Sequence, residues 1–363
     1  MTTLMSEGTG IAKRSRARTP GETASTFAPL LRRVQEQGLL ASRTAWYVRA
    51  VAVNLLAVAS IVTGVVLTGP SWQVLWFAPL LAVASTRSAF IGHDACHSQI
   101  TRNRAVSRTI GLVHGNLLLG MSQQWWNDKH NRHHANPNHI DKDPDVAADI
   151  FVWTREQAKD RTGFRRRITR HQAWLFFPLT TLEGFALKVA GFKAVLSAPR
   201  DRRQTRTART ARLLEAFTLV LHLGAYLTLL LTSMTPLQAL AFVLIHQMLF
   251  GLHLGMAFAP NHKGMEMPDG TVGKDWGHLH RQVLTSRNVR GGPVTDWFLG
   301  GLNYQIEHHL FPSMPRPHLK HAQPLVRDYC NRLALLYTET TAVESYRQAL
   351  SHMHQVGVLT RRP

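Results

Sequence analysis

The chain has 363 residues, with 42 Lys and Arg against 22 Asp and Glu, so its formal net charge at pH 7 is +20. Two cysteines, Cys96 and Cys330, cannot build a disulfide framework, which excludes a disulfide-stapled secreted domain and indicates a reducing compartment. The basic excess predicts an anionic partner, either nucleic acid or a membrane surface. The 20 histidines favour metal binding.

The N-terminal segment, residues 1–30, is predicted to be a disordered basic tail. Its first 25 residues are polar, basic and rich in small side chains, and no apolar run follows that would suit a signal peptide. We expect the main folded domain to cover residues 31–340, and a cytosolic tail to cover residues 341–363.

The first apolar segment, residues 50–86, contains no Asp, Glu, Lys or Arg. A helix needs roughly 20 apolar residues to cross a bilayer, so this segment is long enough for two crossings. Gly69-Pro70-Ser71 lies near its middle, and Gly-Pro pairs mark turns. The pattern therefore predicts a helical hairpin with spans over residues 48–68 and 72–91.

The central segment, residues 102–212, is rich in Arg and Lys and holds two shorter apolar runs. Residues 111–121 are too few to cross a membrane, and residues 171–193 are interrupted by Glu183 and Lys188. We predict that both runs form interfacial or core helices. A single crossing by either would separate the histidine clusters described below, because those clusters flank these runs.

The second apolar segment, residues 216–262, is also free of charged side chains and is broken by Ser233-Met234-Thr235-Pro236. It predicts a second hairpin, with spans over residues 214–234 and 237–259. The fold class is thus predicted as an all-α integral membrane protein with four transmembrane helices and a cytosolic helical cap.

The distribution of basic residues predicts the orientation of this fold. Both hairpin turns lack Lys and Arg, whereas the other three segments are rich in them, including a cluster before the third span: Arg200, Arg202, Arg203, Arg206, Arg209 and Arg212. The positive-inside rule then places both termini and the central segment in the cytoplasm of a multi-pass cell-membrane protein. Contact with anionic lipid accounts for the charge, and no nucleic-acid partner is expected because no recognition motif accompanies it.

Three histidine clusters follow patterns that suit metal binding, and we call them the first, second and third boxes. They read HxxxH, HxxHH and QxxHH and comprise His93 and His97, then His130, His133 and His134, then Gln305, His308 and His309. Residues three and four apart share one helix face, so each box directs its imidazoles toward one point. The predicted topology places all three boxes on the cytoplasmic side.

Seven imidazoles exceed the four ligands of a tetrahedral zinc site and suit two metal ions. Imidazole binds Fe, Zn, Cu or Ni, and the residues alone leave this choice open. His262 follows the fourth span at the same membrane face and is predicted as an eighth ligand, while its neighbour Asn261 is a candidate to hold a ligating water.

Ligating imidazoles usually donate their second ring N–H to a carboxylate or carbonyl oxygen. Six carboxylates lie near the boxes, and we favour Asp94 and Asp296 as such partners over the remaining four, Asp128, Asp143, Asp145 and Glu307. The amide of Gln305 is a candidate to bond a ligand imidazole or a metal-bound water.

At these residues the chain resembles the membrane fatty-acid desaturase family, in particular bacterial acyl-CoA and acyl-lipid desaturases whose third box begins with Gln. The resemblance covers about residues 88–317 and rests on four stretches: GHDACHSQ, WWNDKHNRHHANPN, FAPNHKGM and NVRGGPVTDWFLGGLNYQIEHHLFPSMPR. The seven box histidines match the family's ligand positions, and His262 matches the additional histidine before the third box.

The resemblance implies a di-iron centre that uses dioxygen to insert a cis double bond into a long-chain acyl-CoA or acyl-lipid. Many relatives carry a fused cytochrome b5 domain with an HPGG motif, and this sequence contains no HPGG. A separate electron donor, such as a ferredoxin or a flavin reductase, is therefore expected. Basic side chains near the boxes are candidates for binding the substrate head group: Lys129, Arg132, Arg287 and Arg290.

Two alternatives remain open from the sequence. The same ligand set serves related membrane di-iron hydroxylases and ketolases. A metal transporter is a different class, but transporters place polar ligands near the middle of the membrane, whereas these boxes lie at span ends and in the cap.

Overall fold

The fold of the protein is described by a computed structural model over residues 26–197 and 205–358. Within these ranges, helices alternate with loops, and the only strands form one two-stranded sheet. The α-helices in chain order are α1 Ala28–Glu36, α2 Thr44–Thr68, α3 Phe77–Cys96, α4 Arg104–Gly111, α5 Gln123–Ala135, α6 Arg155–Lys159, α7 Gly163–Arg170, α8 Gln172–Thr180, α9 Glu183–Ser197, α10 Arg206–Ser233, α11 Pro236–Phe258, α12 His278–Leu284, α13 Pro293–Phe298, α14 Gln305–Leu310, α15 Arg316–Arg332 and α16 Ala342–Val358.

Four helical segments are long and apolar enough to cross a membrane, which confirms the predicted spans. They are α2, the segment Trp72–Cys96, α10 and the segment Pro236–Asn261. The second consists of the 3-10 turn Trp72–Trp76 followed by α3, and the fourth is α11 continued by the 3-10 turn Ala259–Asn261. The length and the composition of these helices are therefore those of a multi-pass membrane protein.

The turns of both hairpins lie where Gly and Pro predicted them. Gly69 ends α2 with φ at +61°, a left-handed conformation that Gly adopts without steric cost. Pro236 occupies the first turn of α11, where a missing N–H costs no hydrogen bond. Gln238 ties the two turns together, because its side chain accepts the Thr235 N–H at 3.0 Å and donates to the Pro70 carbonyl at 3.0 Å.

The central apolar run 171–193 forms α8 and α9, which meet at a bend of 71°. This pair packs closely on α11, because a Cβ added at Gly251 would lie 2.7 Å from the backbone nitrogen of Gly184. Along the chain, two of the four spans, α10 and α11, lie between the second box and the third. Because these boxes meet in one site, as shown below, the bent pair enters and leaves on one side, in agreement with the prediction that it does not cross.

The other central run, residues 111–121, forms the end of α4 and the π-helix Leu112–Leu117. His114, Gly115 and Asn116 are buried in this π-helix. It packs against α3 and α10, so it is a core helix, as predicted.

The cap has its own apolar core, built mainly by α1, α12, α14 and α15. Its sheet pairs β1 Asn288–Arg290 with β2 Glu339–Thr341 in parallel register. Residues 1–25 of the predicted tail, like Arg200, Arg202 and Arg203 of the basic cluster, lie outside the described residues. The predicted boundary at residue 30 is wrong, because α1 begins at Ala28 and Leu30 is fully buried in the cap core.

The prediction of a C-terminal tail over residues 341–363 is wrong for its described part. Residues 342–358 form α16, which packs against α8 and the end of α11 with Ala349 and Met353 buried. Ser345 donates to the Pro260 carbonyl at 2.7 Å, and Tyr346 donates to the Met256 carbonyl. The helix was missed because its apolar contacts are visible only once the fourth span is in place; residues 359–363 lie outside the described residues.

Candidate metal centre

The three boxes lie on three different helical elements that end at one place. His93 is on the last turn of α3 and His97 is the residue that caps it. The second box occupies the C-terminal half of α5, and the third box lies on the short helix α14. His262 follows the 3-10 turn at the end of the fourth span.

These elements bring all eight predicted ligand histidines together in two groups. In the first, one nitrogen from each ring lies within 4.8 Å of the others; we call it the five-histidine group, and it comprises His93, His97, His130, His134 and His308. In the second, the same criterion joins His133, His262 and His309, which we call the three-histidine group. The groups adjoin, because the rings of His134 and His309 stack with centroids 4.1 Å apart.

The eight imidazoles are all buried, yet several of their ring nitrogens bond to nothing in the described protein. The nitrogens without a hydrogen-bond partner are Nε2 of His93, His97 and His309, Nδ1 of His134, and both nitrogens of His308. Buried polar atoms normally have partners, because leaving them unpaired costs free energy. Imidazole nitrogens that point at a common centre are the donors that a transition metal ion would satisfy, so the residues fit two metal ions.

Burial also keeps most of these rings in the form that binds metals. Removal from water, together with neighbouring imidazoles, lowers the pKa well below the usual range for His97, His130, His134, His308 and His309. Burial lowers the pKa of His262 to about 3. A neutral imidazole has a free lone pair, whereas a protonated ring has none to offer a metal.

His133 differs from these rings because it faces a carboxylate. Burial alone would lower its pKa, but the negative charge of Asp143, the hydrogen bond to Asp143 and the negative charge of Asp145 together outweigh burial and raise the pKa. Its Nδ1 lies 2.8 Å from Asp143 Oδ2 and 3.6 Å from Asp145 Oδ2. The hydrogen bond to Asp143 occupies Nδ1 of His133, so Nε2 is the nitrogen that faces the other two rings of the three-histidine group.

The other two rings of this group are held in the same manner by neutral oxygens. His262 Nδ1 donates to the Thr285 carbonyl at 3.0 Å, and His309 Nδ1 donates to Gln282 Oε1 at 3.0 Å. Gln282 in turn donates to the His134 carbonyl at 2.9 Å. Nε2 of His309 has no hydrogen-bond partner in the described protein, whereas Nε2 of His262 lies 2.9 Å from the amide nitrogen of Gln305.

Of the predicted partners, Asp94 lies beside the site. Its Oδ1 is 3.2 Å from His93 Nδ1, and its Oδ2 is 2.5 Å from the guanidinium of Arg316. The carboxylate of Asp94 therefore faces a ring of the five-histidine group.

Asp296 does not lie in the site, and its favoured role is not supported. Its carboxylate accepts hydrogen bonds from Asn303 Nδ2 at 2.8 Å and from the Tyr304 hydroxyl at 3.4 Å. Asp296 lies in the first turn of the short helix α13, whose position relative to the boxes is set by the fold of the cap and was not apparent from spacing. Asp143, which we did not favour, makes the contact with a ring nitrogen of a box histidine that we had expected of Asp296.

Gln305 and Asn261 lie directly beside His262. The Gln305 amide nitrogen is 2.9 Å from His262 Nε2, and Asn261 Nδ2 donates to Gln305 Oε1 at 3.2 Å. Asn261 Oδ1 is buried without a partner in the described protein. The Gln305 amide therefore contacts the ring of His262, which we predict to be a ligand.

Sequence reasoning missed Gln282 and Thr285 altogether. Neither carries a local signal, because Gln282 lies in the ordinary helical stretch HLHRQVL and Thr285 acts through its backbone carbonyl. Glu307, although it lies inside the third box, turns away and accepts hydrogen bonds from Asn288 and Tyr337; burial raises its pKa to about 7.

An apolar wall lines the five-histidine group on the membrane side. The ring of Trp126 stacks on the ring of His130 with centroids 4.3 Å apart, and the ring centroid of Phe258 lies 6.3 Å from that of His93. Both belong to a cluster that continues among the spans: Ala82, Leu119, Met121, Phe250 and Leu254, with Trp125 and Leu187 packed against it. This cluster provides apolar surroundings next to the centre.

Most of the basic candidates for a head group are already paired. Lys129 lies 2.7 Å from Asp145, Arg132 lies 3.2 Å from Asp128, and Arg287 is fully buried and bonds Gln348 and the Lys263 carbonyl. Arg290 is exposed on β1. The structure therefore does not assemble these four side chains into one anion site.

The fold is that of a multi-pass membrane protein, and the two imidazole groups form a site that suits metal ions. The family model described as "Fatty acid desaturase" matches residues 70–341. The chain is 30% identical over 340 residues to "Delta(6)-fatty-acid desaturase fat-3" of Caenorhabditis elegans, which covers 92% of this chain and 75% of that protein. The chain therefore belongs to the fatty acid desaturase family, as the resemblance predicted, and is an oxidoreductase of that family.

Two further relatives extend the comparison. "Acyl-lipid (9-3)-desaturase" of Physcomitrium patens is 28% identical over 331 residues, covering 88% of this chain and 60% of the relative. "Delta(8)-fatty-acid desaturase" of Euglena gracilis is 31% identical over 263 residues, covering 72% of this chain and 62% of the relative. The chain spans less than two thirds of the length of these two proteins.

Proposed function

We propose that the chain is a dioxygen-dependent fatty-acyl desaturase that inserts a cis double bond into a long acyl chain at a pair of iron ions. The observation that carries the proposal is the convergence of eight buried imidazoles in two adjoining groups, in a chain of the fatty acid desaturase family. The five-histidine group would hold one ion and the three-histidine group the other. Iron is favoured over zinc because five nitrogen donors exceed a tetrahedral set.

The reaction must remove two hydrogens from an unactivated CH₂–CH₂ unit. Overall, one dioxygen, two electrons and two protons are consumed together with these two hydrogens, and two waters and one alkene are formed. Bound iron supplies the activation of dioxygen, which no amino-acid side chain provides. The chain's own residues bind the ions, orient the rings and exclude water.

Several residues serve these tasks. Asp94, Asp143 and Gln282 bond the second ring nitrogens and so fix the direction of the first. Trp126 and Phe258 form an apolar wall beside His130 and His93, which would place the acyl chain next to the centre and keep bulk water out.

The proposal extends to partners and orientation. The substrate is a long-chain acyl-CoA or acyl-lipid, and the electrons come from a separate protein such as a ferredoxin or a flavin reductase. The positive-inside distribution supports a cytoplasmic location for the cap, both termini and the metal centre. Membrane lipid surrounds the four spans.

The test is expression in a host without desaturases, followed by mass spectrometry of double-bond positions in its fatty acids. A new alkene that disappears in a His133→Ala control, with about two irons per purified chain, supports the proposal. An alcohol without alkene would instead identify a hydroxylase. Zinc that moves across vesicles carrying the purified protein would identify a transporter.

A further inference from the structure

A set of buried polar side chains outside the metal centre surrounds the turn that leads into α5. This turn, residues 117–124, joins the π-helix Leu112–Leu117 to α5, and we call it the box-two turn. Side chains from α9 and α10 bind its backbone. One of them, Glu215, directly precedes the charge-free segment 216–262.

Glu215 caps the beginning of α5. It is only 4% exposed, its Oε1 accepts the Gln124 N–H at 2.8 Å, and its Oε2 accepts the Ser122 hydroxyl at 2.9 Å. Ser122 is the N-cap of α5 and accepts the Trp125 N–H at 3.2 Å. The first N–H groups of a helix lack intrahelical partners, and a negative charge is favourable there, so this carboxylate stabilises the start of the helix.

Two further side chains fix the carbonyls of the same turn. His222 Nδ1 donates to the Leu117 carbonyl at 2.9 Å, and Lys188 Nζ donates to the Leu119 carbonyl. The packing is close, because a Cβ at Gly191 would lie 2.6 Å from the backbone nitrogen of Ser122. The box-two turn therefore has its position set by α9 and α10.

The position of this turn matters because α5 serves both imidazole groups. His130 and His134 belong to the five-histidine group, and His133 belongs to the three-histidine group. An α-helix advances about 1.5 Å and turns about 100° per residue, so a displaced start rotates and shifts all three rings together.

We propose that Glu215 is a positioning residue for the second box: its carboxylate fixes the beginning of α5 and thereby aims His130, His133 and His134 at the two metal sites. The carboxylate acts through the helix, because it accepts hydrogen bonds from the Ser122 hydroxyl and the Gln124 N–H. This inference rests on the proposed metal pair.

The test compares Glu215→Ala with Gln238→Ala in the purified full chain. Gln238 is a matched control, because it is 2% exposed and also bonds backbone groups near a helix start, but in the turns of the hairpins. Apo-protein is titrated with ferrous iron, and bound iron, unfolding temperature, kcat and KM are measured. We expect roughly 10-fold weaker iron affinity and a lower kcat for Glu215→Ala, as for loss of groups that orient metal ligands. Gln238→Ala should unfold at a lower temperature yet bind iron as the unaltered protein does.

The outcomes separate the two proposals. An unaltered protein that binds no iron overturns the proposed function. An unaltered protein with two irons, together with a Glu215→Ala variant that binds iron as tightly as Gln238→Ala, overturns the positioning role alone.

Milder variants keep the inference testable if Glu215→Ala does not fold. Glu215→Gln keeps an oxygen to accept the Gln124 N–H, but its NH₂ group cannot accept the Ser122 hydroxyl. Ser122→Ala removes the hydroxyl while leaving the carboxylate. We expect both iron affinities to lie between those of the unaltered protein and Glu215→Ala, and affinities equal to that of the unaltered protein overturn the inference.

Discussion

The two imidazole groups of the metal centre are built in different ways. In the three-histidine group every ring has a hydrogen-bond partner on its Nδ1: Asp143, the Thr285 carbonyl or Gln282. In the five-histidine group His93 faces Asp94, His130 and His134 face each other, and His308 has no partner in the described protein. In the group with three rings, hydrogen bonds to Nδ1 set the orientation of each ring. In the group with five rings, the spacing of the histidines along their helices sets most of the ring positions.

The largest difference in bound iron between the two groups should follow when one ligand histidine is removed. His262→Ala leaves two donors in the three-histidine group, so we expect bound iron to fall from about two to about one per chain, because an open metal site is ordinarily held by about three protein ligands beside water. Activity should fall to background. Elemental analysis of the monodisperse protein is the measurement.

The matched variant in the other group is His97→Ala, which leaves four imidazoles. We expect this variant to retain more iron than His262→Ala, although its activity is also lost. Equal iron content in the two variants would show that the groups do not differ in the way their ligand numbers suggest.

The next effect concerns Asp143. Asp143→Asn removes the negative charge that His133 faces at 2.8 Å, and we expect metal affinity or activity to fall by roughly 10–100-fold. Asp145→Asn is the control, because this carboxylate is 3.6 Å from the ring, is partly exposed and pairs with Lys129. An Asp145→Asn defect as large as that of Asp143→Asn would contradict the assignment.

A smaller effect is expected at Gln282, which is neutral. Gln282→Ala removes the oxygen that accepts the His309 Nδ1–H, and we expect a loss of metal affinity of about 10-fold, at the lower end of the range for such partners. Gln157→Ala removes a comparable amide that bonds the Trp153 N–H and the Val146 carbonyl away from the boxes. Iron titration should separate the two, and identical titration curves would remove Gln282 from the site.

The smallest effect on metal binding is expected at Asp296. Asp296→Ala loses hydrogen bonds to Asn303 and Tyr304, so the free energy of unfolding should decrease by about 1 kcal/mol while iron content stays unchanged. Denaturant unfolding and elemental analysis check these expectations. A loss of iron in this variant would restore the role that the sequence suggested for Asp296.

The hairpins and the boxes were predictable because their signals are local. A run of about 20 apolar residues identifies a span wherever it lies in a chain, and Gly69 and Pro236 mark turns by their own conformational properties. HxxxH, HxxHH and QxxHH direct imidazoles to one helix face by spacing alone. The structure lengthened the spans toward the cap, with α2 beginning at Thr44 and the second span ending at Cys96, without changing their number.

The sequence by itself thus determined the four spans, the ligand histidines as candidates and the family. Tertiary structure alone decided the division of the rings into groups of five and three, the choice of Asp143 over Asp296, and the roles of Gln282, Glu215 and α16. The physical reason is that these residues act on partners distant in the chain: Glu215 lies 91 residues from Gln124, and Gln282 lies 27 residues from His309. Such contacts exist only after the spans and the cap have packed, and no local pattern specifies them.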